Sequence, residues 1–301
     1  MSVVEKAIDR LKTRAPERPA DPGARDAGWS AAADTAGAFL PEAPAVHVPA
    51  ELQPGAELLR FARRSTEGGG FSLDVLRDGR LRTQLRALRN KVLDSVKARR
   101  DAGMAPVVVV TSAAPGDGKS FVALHLAQSF ASDLDLEPSL VDADIVRQQS
   151  SRLFSAVAGP GLAGCLGNDK PLTEALCATD IPNLRFLPAG TYSNRVLESI
   201  SDARWKRAVA EMHAAGPSRL FVVDSSPLLA TTEAHILARG ADLVLFVVRA
   251  GVTLQPSVRE AISRLSSDVN VAFVFNGRVS VGEEVYYGYS YYGEPGDADQ
   301  K

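Results

Sequence analysis

The sequence is poor in the features that mark secreted, membrane-spanning and disulfide-linked proteins. It has only two cysteines, Cys165 and Cys177, and their spacing fits neither a disulfide framework nor a metal site, which favours a reducing compartment. No apolar run approaches the ~18 residues that cross a bilayer, since the longest, Val107–Val110 and Leu243–Val248, are strand-sized. Charged residues interrupt the first positions, where a signal peptide would carry its apolar segment. These absences predict a cytoplasmic protein.

A strong net charge is also lacking. The 34 basic and 36 acidic residues leave a net charge of −2, so the chain is not a polycation, and no nucleic acid partner is predicted. Aromatic residues make up only 6% of the chain, but 45% of it is hydrophobic and 23% charged, which is typical of a folded protein with a full core. Its 301 residues allow one large domain with appendages, or two small domains.

The first seventy residues differ from the rest of the chain. Seven of the 18 prolines lie between Ala15 and Gly55 among few large apolar residues, so this stretch cannot bury enough surface to offset its ordering entropy. We predict a short amphipathic helix over residues 1–14 and a disordered Ala/Pro-rich linker over 15–70. A folded domain over 71–282 and a tail over 283–301 complete the predicted organisation.

From about Leu81 onward, strand-like apolar runs alternate with helix-like segments. A helix with an apolar stripe from Leu81 to Val96 comes first. The predicted strands are Val107–Thr111, Ser139–Val141, Leu184–Leu187, Leu220–Val223, Asp242–Val248 and Val271–Phe275. The predicted helices are Lys119–Ser132, Ala203–Ala214, Thr232–Ala238 and Gln255–Leu265. Near-continuous Val/Leu strands that alternate with helices predict an α/β fold, a parallel sheet with helices on both faces.

A candidate phosphate-binding loop follows the first predicted strand. Between that strand and a helix stand Gly116, Gly118, Lys119 and Ser120, which is the order of a Walker A loop. This order predicts that residues 71–282 form a P-loop NTPase-like domain. Glycines let backbone N–H groups approach phosphate oxygens, and the helix N-terminus adds the positive end of its dipole. Lys119 can reach the β- and γ-phosphates, and the Ser120 hydroxyl can ligate Mg²⁺. The usual first glycine is Ala113 here, and the alternative is an ordinary turn with a surface lysine.

Three aspartates come at the ends of two later strands. Asp142 and Asp144 follow one strand, and Asp224 follows another. Ligands of an open parallel sheet bind beyond the carboxyl ends of its strands, so these acids are predicted to lie near the phosphate loop. Mg²⁺ requires hard oxygen ligands and a phosphoryl acceptor requires a base, and carboxylates can supply both. The alternative is that each aspartate only caps the helix that follows it.

Five of the six tyrosines form a cluster near the end of the sequence: Tyr286, Tyr287, Tyr289, Tyr291 and Tyr292. They alternate with Gly and Ser rather than with aliphatic residues, so the segment is predicted to be flexible and exposed. It is either a sticky low-complexity tail or a set of phosphoacceptors that can reach the site of a neighbouring subunit.

Together these motifs resemble those of the bacterial tyrosine kinases, the Walker-type autokinases of exopolysaccharide synthesis. The resemblance covers residues 81–292, and the first eleven residues are similar to the exosortase-associated subgroup. Asp117 replaces the family's Glu in the loop, and the arginine expected at Val146 comes one residue later, at Arg147. The family carries a helix motif for subunit packing, of which Arg86 and Arg89 match but Thr83 replaces the Glu.

The resemblance implies an ATP-dependent protein-tyrosine kinase that autophosphorylates its C-terminal tyrosines. Lys119, Asp142 and Asp144 are the implied catalytic residues, with Asp142 as the base or, with the two roles exchanged, Asp144. Mg²⁺ binding is implied for Ser120, Asp144 and Asp224. Nucleotide binding is implied for Ala114, Pro115, Gly116, Asp117, Gly118, Lys119, Ser120, Phe121 and Asn276, although Asn276 could equally be a turn residue.

The family also implies a homo-oligomer and a separate membrane-embedded chain-length determinant that activates the kinase at the inner face of the cell membrane. A basic face over residues 77–100, with nine Arg or Lys against two Asp, is either a partner surface or simply solvated. Two other functions stay open. One is a partitioning-type P-loop ATPase without tyrosine transfer, which leaves the tyrosine cluster unexplained, and the other is a non-catalytic nucleotide-binding scaffold.

Overall fold

A computed structural model describes residues 59, 78–154, 160–168, 171–192 and 200–277. All of them belong to one unit of the chain, Val48–Lys301. The predicted N-terminal helix, the linker except for Leu59, and the tyrosine cluster lie outside the described residues, so the predicted domain bounds stay predictions.

A seven-stranded sheet lies at the centre of the described part. Its strands are β1 Val107–Ser112, β2 Glu137–Asp142, β3 Cys177–Ala178, β4 Arg185–Leu187, β5 Arg219–Asp224, β6 Leu243–Arg249 and β7 Val271–Asn276. Their order is β3-β4-β2-β5-β1-β6-β7, and every neighbouring pair is parallel except β3 with β4. The predicted parallel sheet is confirmed, and the two-residue β3 is an addition to it.

Two helices precede β1, and the others lie between strands. The helices are α1 Gly79–Ser95, α2 Lys97–Asp101, α3 Lys119–Ala131, α4 Gln149–Leu153, α5 Gly161–Asn168, α6 Asp202–His213, α7 Glu233–Arg239 and α8 Gln255–Ser263, with a 3₁₀ turn at Leu172–Ala175. No helix in the described ranges is long and apolar enough to cross a membrane.

The core lies on both faces of the sheet, as predicted. Val108 and Val110 pack on one face with α1 and α3, where Phe130 is fully buried. Val107 and Val109 pack on the other face with α5, α6, α7 and α8, where Trp205 is buried. Because β1 is covered on both sides, all of its side chains are buried, which explains its unbroken run of valines.

Helix α1 begins where the sequence predicts the apolar stripe. The Asp78 carboxylate caps it, since Oδ1 accepts hydrogen bonds from the backbone N of Arg80 at 2.8 Å and of Leu81 at 3.2 Å. Leu85 and Val92 of the predicted stripe are buried, and Val92 packs in the core with residues of α3 and the sheet.

Part of the predicted basic face is used inside the fold. Arg89 donates from Nη1 to the carbonyl oxygen of Ser129 on α3 at 3.1 Å, and Arg99 donates from Nε to the Asp242 carboxylate at 2.7 Å. Arg86, in contrast, is exposed. The basic face is therefore neither wholly a partner surface nor wholly solvated.

Leu59 differs from the linker predicted around it. Its backbone N donates to the carbonyl oxygen of Ala178 at 3.0 Å, and its own carbonyl accepts from the N of Asp180 at 3.0 Å. These bonds form a parallel bridge with Thr179, and the Leu59 side chain joins the core. An edge strand has unpaired backbone N–H and C=O groups, and Leu59 forms hydrogen bonds with such groups here.

Two glycines fix the turn that brings α5 against the end of β4. Gly190 has φ +88°, and a Cβ there would lie 2.2 Å from the carbonyl oxygen of Pro160. Gly161 has φ +44° and would clash equally with the backbone of Gly190. Only glycine permits this approach, which places residues 188–190 beside the carboxyl ends of β2 and β4.

Candidate functional site

The phosphate loop joins β1 to α3. Gly116 and Gly118 have φ values of +90° and +94°, in the left-handed region that favours glycine. A Cβ at Gly118 would lie 2.0 Å from Nδ2 of Asn276. Lys119 and Ser120 begin α3, and both are buried, with exposed fractions of 5% and 4%. The loop therefore has the backbone conformation and the helix N-terminus that phosphate binding requires.

Asp117 and Asn276 stabilise this loop from within the site. Asp117 is buried, and its Oδ2 accepts a hydrogen bond from the backbone N of Ala114 at 3.1 Å. Asn276 donates from Nδ2 to the carbonyl oxygen of Asp117 at 3.0 Å. The structure thus brings the end of β7 to the loop. Of the other predicted loop residues, Pro115 is exposed and Phe121 half-buried.

The three aspartates meet at the carboxyl edge of the sheet. Asp142 and Asp224 end the neighbouring strands β2 and β5 and stand directly opposite each other in the parallel register. Both are fully buried, and Asp144 is 3% exposed. The structure therefore brings together the acids that the strand-end pattern predicted.

Asp142 is held by the N-terminus of α4. Its Oδ2 accepts from the backbone N of Ser151 at 2.7 Å and from the Ser151 hydroxyl at 2.8 Å. The same hydroxyl accepts a hydrogen bond from the N of Ala189 at 2.9 Å. Oδ1 of Asp142 accepts from the N of Asp144 at 3.2 Å. The alternative interpretation, in which the aspartate caps the helix that follows it, is therefore correct in part for Asp142.

Serines also hold the other two carboxylates. Ser150 donates to Oδ2 of Asp224 at 2.8 Å, and Ser226 donates to Oδ1 of Asp144 at 3.0 Å. The backbone N of Arg147 adds a 3.2 Å hydrogen bond to Oδ1 of Asp144. Sequence reasoning missed these serines, because nothing in the spacing of Ser150 indicates that it meets a residue of β5.

Burial and mutual repulsion favour the protonated forms of the paired carboxylates. Burial raises the pKa of Asp142 well above its ordinary value, and the charge of Asp224 adds to the rise, whereas hydrogen bonds from Ser151 oppose it. Burial also raises the pKa of Asp224 to about 6, against the opposing effects of the Lys119 ammonium and of hydrogen bonds from Ser120 and Ser150. Carboxyls with raised pKa values are typical of sites that move protons or bind cations.

The residues present fit a magnesium ion bound together with phosphate. Oδ1 of Asp224 is buried without a hydrogen-bond partner, and an unpaired buried carboxylate oxygen is costly unless a cation or water satisfies it. Within the described ranges, no three or more His, Cys, Asp or Glu residues are grouped to hold a metal by themselves. Mg²⁺ at nucleotide sites takes one or two carboxylates and completes its shell with phosphate and water oxygens, so Asp224, Asp144 and Ser120 suffice.

Comparisons with known proteins agree with this geometry. No family model matches the sequence. Tyrosine-protein kinase YwqD of Bacillus subtilis is 28% identical over 64% of this chain and 80% of its own length. Two EpsB sequences, of Ralstonia nicotianae and Ralstonia solanacearum, are 32% and 30% identical over 56% and 67% of this chain, which spans only 22% and 28% of their length.

Among solved structures, the BceF tyrosine kinase domain is 30% identical to this chain. It superposes with a TM-score of 0.56, and the match covers 64% of this chain and 76% of that domain. The agreement therefore extends over most of a solved kinase domain in both sequence and fold. The chain belongs to the bacterial tyrosine kinases.

Proposed function

We propose that this protein is an ATP-dependent protein-tyrosine kinase whose phosphoacceptors are its own C-terminal tyrosines. The observation that carries the proposal is the meeting of the phosphate loop with Asp142, Asp144 and Asp224 at one edge of the sheet. That edge also includes the end of β7, and the tyrosine cluster Tyr286, Tyr287, Tyr289, Tyr291 and Tyr292 follows β7 in the sequence.

In this proposal the loop from Ala114 to Phe121 holds the phosphates of ATP, and Asn276 contacts the adenine. Ser120, Asp144 and Asp224 hold Mg²⁺, which supplies positive charge to the transferring phosphoryl group. Lys119 stabilises the negative charge that develops between the β- and γ-phosphates. The buried position of its ammonium strengthens this effect, because water screens it little.

The proposal assigns the proton of the tyrosine hydroxyl to Asp142. The tyrosine oxygen forms a bond to the γ-phosphorus, the bond from that phosphorus to the bridging oxygen of ADP breaks, and the hydroxyl proton passes to the carboxylate. A carboxylate whose pKa is raised is a stronger proton acceptor, and burial raises the pKa of Asp142, which supports this role. The exchanged assignment gives the proton to Asp144 and the metal to Asp142.

The resemblance to autokinases of exopolysaccharide synthesis supports a regulatory role in the chain length or export of such a polymer. We further propose that the protein assembles as a homo-oligomer. A separate membrane-embedded chain-length determinant recruits it to the inner face of the cell membrane and activates it.

The test is incubation of the purified protein with labelled ATP and Mg²⁺, followed by mapping of phosphotyrosine. Lys119→Met should lower incorporation at least about 10²-fold, because one preorganised donor to the transition state contributes that much. Lys206→Met is the matched control, since Lys206 is exposed on α6 and should leave incorporation unchanged. Replacement of all five clustered tyrosines by Phe should remove the labelled product.

Each alternative function has its own outcome in this experiment. ATP hydrolysis without phosphotyrosine would identify a partitioning-type ATPase. Nucleotide binding with neither hydrolysis nor transfer would identify a scaffold. Undiminished phosphotyrosine in Lys119→Met would show that the phosphate loop is not the active site.

A further inference from the structure

The segment from Arg249, the last residue of β6, to Thr253 contacts the phosphate loop. Thr253 donates a hydrogen bond from Oγ1 to Oδ1 of Asp117 at 2.6 Å, and its hydroxyl accepts one from the backbone N of Arg249 at 2.8 Å. Arg249 donates from Nη1 to the carbonyl oxygen of Gly116 at 3.2 Å. Two side chains of one segment thus contact two consecutive residues of the loop.

Asp117 joins this segment to the beginning of the loop. One carboxylate oxygen accepts from Thr253, and the other accepts from the N of Ala114. The side chain is 2% exposed, so little water competes with either hydrogen bond. The two hydrogen bonds of the Asp117 carboxylate therefore link Thr253 to Ala114, across the part of the loop that must fold around phosphate.

Such support matters because the loop is intrinsically unfavourable to order. Phosphate binding uses backbone N–H groups, so the carbonyl groups point outward and need partners of their own. Gly116 and Gly118 also lose more conformational freedom on ordering than other residues do. Contacts that hold the loop in its binding conformation before the ligand arrives reduce this loss at the moment of binding.

We infer that Thr253 is a positioning residue for nucleotide binding, acting through Asp117, with Arg249 as a second support of the loop. The inference rests on the proposed function, because the ligand it concerns is the nucleotide of that proposal. Neither residue touches the phosphates. Their effect is on the conformation of residues 113–118.

The first measurement is equilibrium binding of a fluorescent ADP analogue, with Mg²⁺, to the purified full chain. Thr253→Val removes the hydroxyl with little change in volume and should weaken binding about tenfold or more, as expected for a hydrogen bond to a charged group. Thr253→Ser keeps the hydroxyl and should bind within about twofold of the wild type. Thr232→Val is the matched control, because Thr232 is exposed before α7 and makes no capping hydrogen bond.

The second measurement needs no nucleotide. Amide hydrogen exchange of residues 113–118 should be faster in Thr253→Val than in the wild type, Thr253→Ser or Thr232→Val, because the loop opens more often. Arg249→Met provides an independent variant, since Arg249 is exposed at the end of β6 and its loss does not disturb the core. It should weaken binding several-fold, and it decides the question if Thr253→Val does not fold.

The two proposals fail in different ways. If the wild type binds the analogue and both Thr253→Val and Arg249→Met bind it equally well with unchanged exchange, the positioning role is wrong and the proposed function stands. If the wild type binds no nucleotide, the proposed function is wrong. Hydrogen exchange then still shows whether Thr253 and Arg249 support the loop.

Discussion

Replacing Asp224 by asparagine should stabilise the protein at neutral pH when neither metal nor nucleotide is present. Asp224 is fully buried beside Asp142, and its pKa is raised from 3.8 to about 6. The folded state therefore holds a proton on this group at a higher pH than the unfolded state does. Above about pH 6, the folded protein must instead bury a charge that the unfolded chain exposes to water.

The size and sign of the effect follow from this difference in pKa. Between about pH 4 and pH 6 the folded state binds more protons at Asp224, so the contribution of this residue to the free energy of unfolding falls as pH rises through that window. A difference of about 2 units corresponds to ~3 kcal/mol, at 1.36 kcal/mol per unit. For a domain of 150–250 residues, ~3 kcal/mol changes Tm by ~6–12 °C. Asparagine keeps the shape of the side chain and an acceptor for Ser150 but carries no charge. The variant therefore does not lose this stability as pH rises.

The assay is urea denaturation followed by circular dichroism across pH 4–8, in the presence of a chelator. Asp224→Asn should be more stable than the wild type by up to ~3 kcal/mol at pH 7.5, and this advantage should vanish near pH 4. Asp268→Asn, at an exposed position, is the control and should change stability little at either pH. A variant that is no more stable at pH 7.5, or an advantage that does not depend on pH, would contradict the raised pKa of Asp224 as the cause.

Three further predictions concern the loop, the base and a buried histidine. Gly118→Ala should weaken nucleotide binding and lower Tm in thermal denaturation more than Gly103→Ala, because both positions have positive φ but only Gly118 faces an atom, Nδ2 of Asn276. Asp142→Asn should keep nucleotide affinity within about tenfold and lose ~10²–10⁴-fold in transfer, whereas collapsed binding in titrations would make Asp142 a metal ligand. Burial lowers the pKa of His125 from 6.5 to about 4, so the contribution of this residue to stability should fall as pH drops between those values, opposite in sign to the contribution of Asp224. The stability of His125→Leu relative to the wild type should therefore rise as pH falls from 6.5 to 4 in the same urea series, and a difference that does not depend on pH would contradict the assignment.

The sheet was largely predictable from the sequence because its central strands are buried on both faces. Such strands read as unbroken apolar runs, and Val107–Val110 shows this most clearly. β3 has only two residues, and its pairing depends on β4 and Leu59 rather than on its own composition. Helix α5 was missed because three of its eight residues are glycine, which has a poor helix propensity.

The site residues were predictable only where a residue with suitable chemistry stands at or near the end of a strand. Asp142 and Asp224 end their strands, and the loop that leads to Lys119 follows β1, so the parallel topology alone brings these residues to one edge of the sheet. Ser151 and Thr253 act through partners that are distant in the sequence or on another element, and their residue types carry no special signal. Such contacts depend on how loops pack, which spacing in the sequence does not determine.

The bridge made by Leu59 bears on where this protein can be shortened. A fragment that starts at residue 71, the predicted domain boundary, would lack Leu59 and would leave the backbone groups of Ala178 and Asp180 without their partners. It would also uncover the apolar surface on which the Leu59 side chain packs. An unpaired edge beside exposed apolar surface is a template for aggregation, so a well-behaved fragment should start upstream of Leu59.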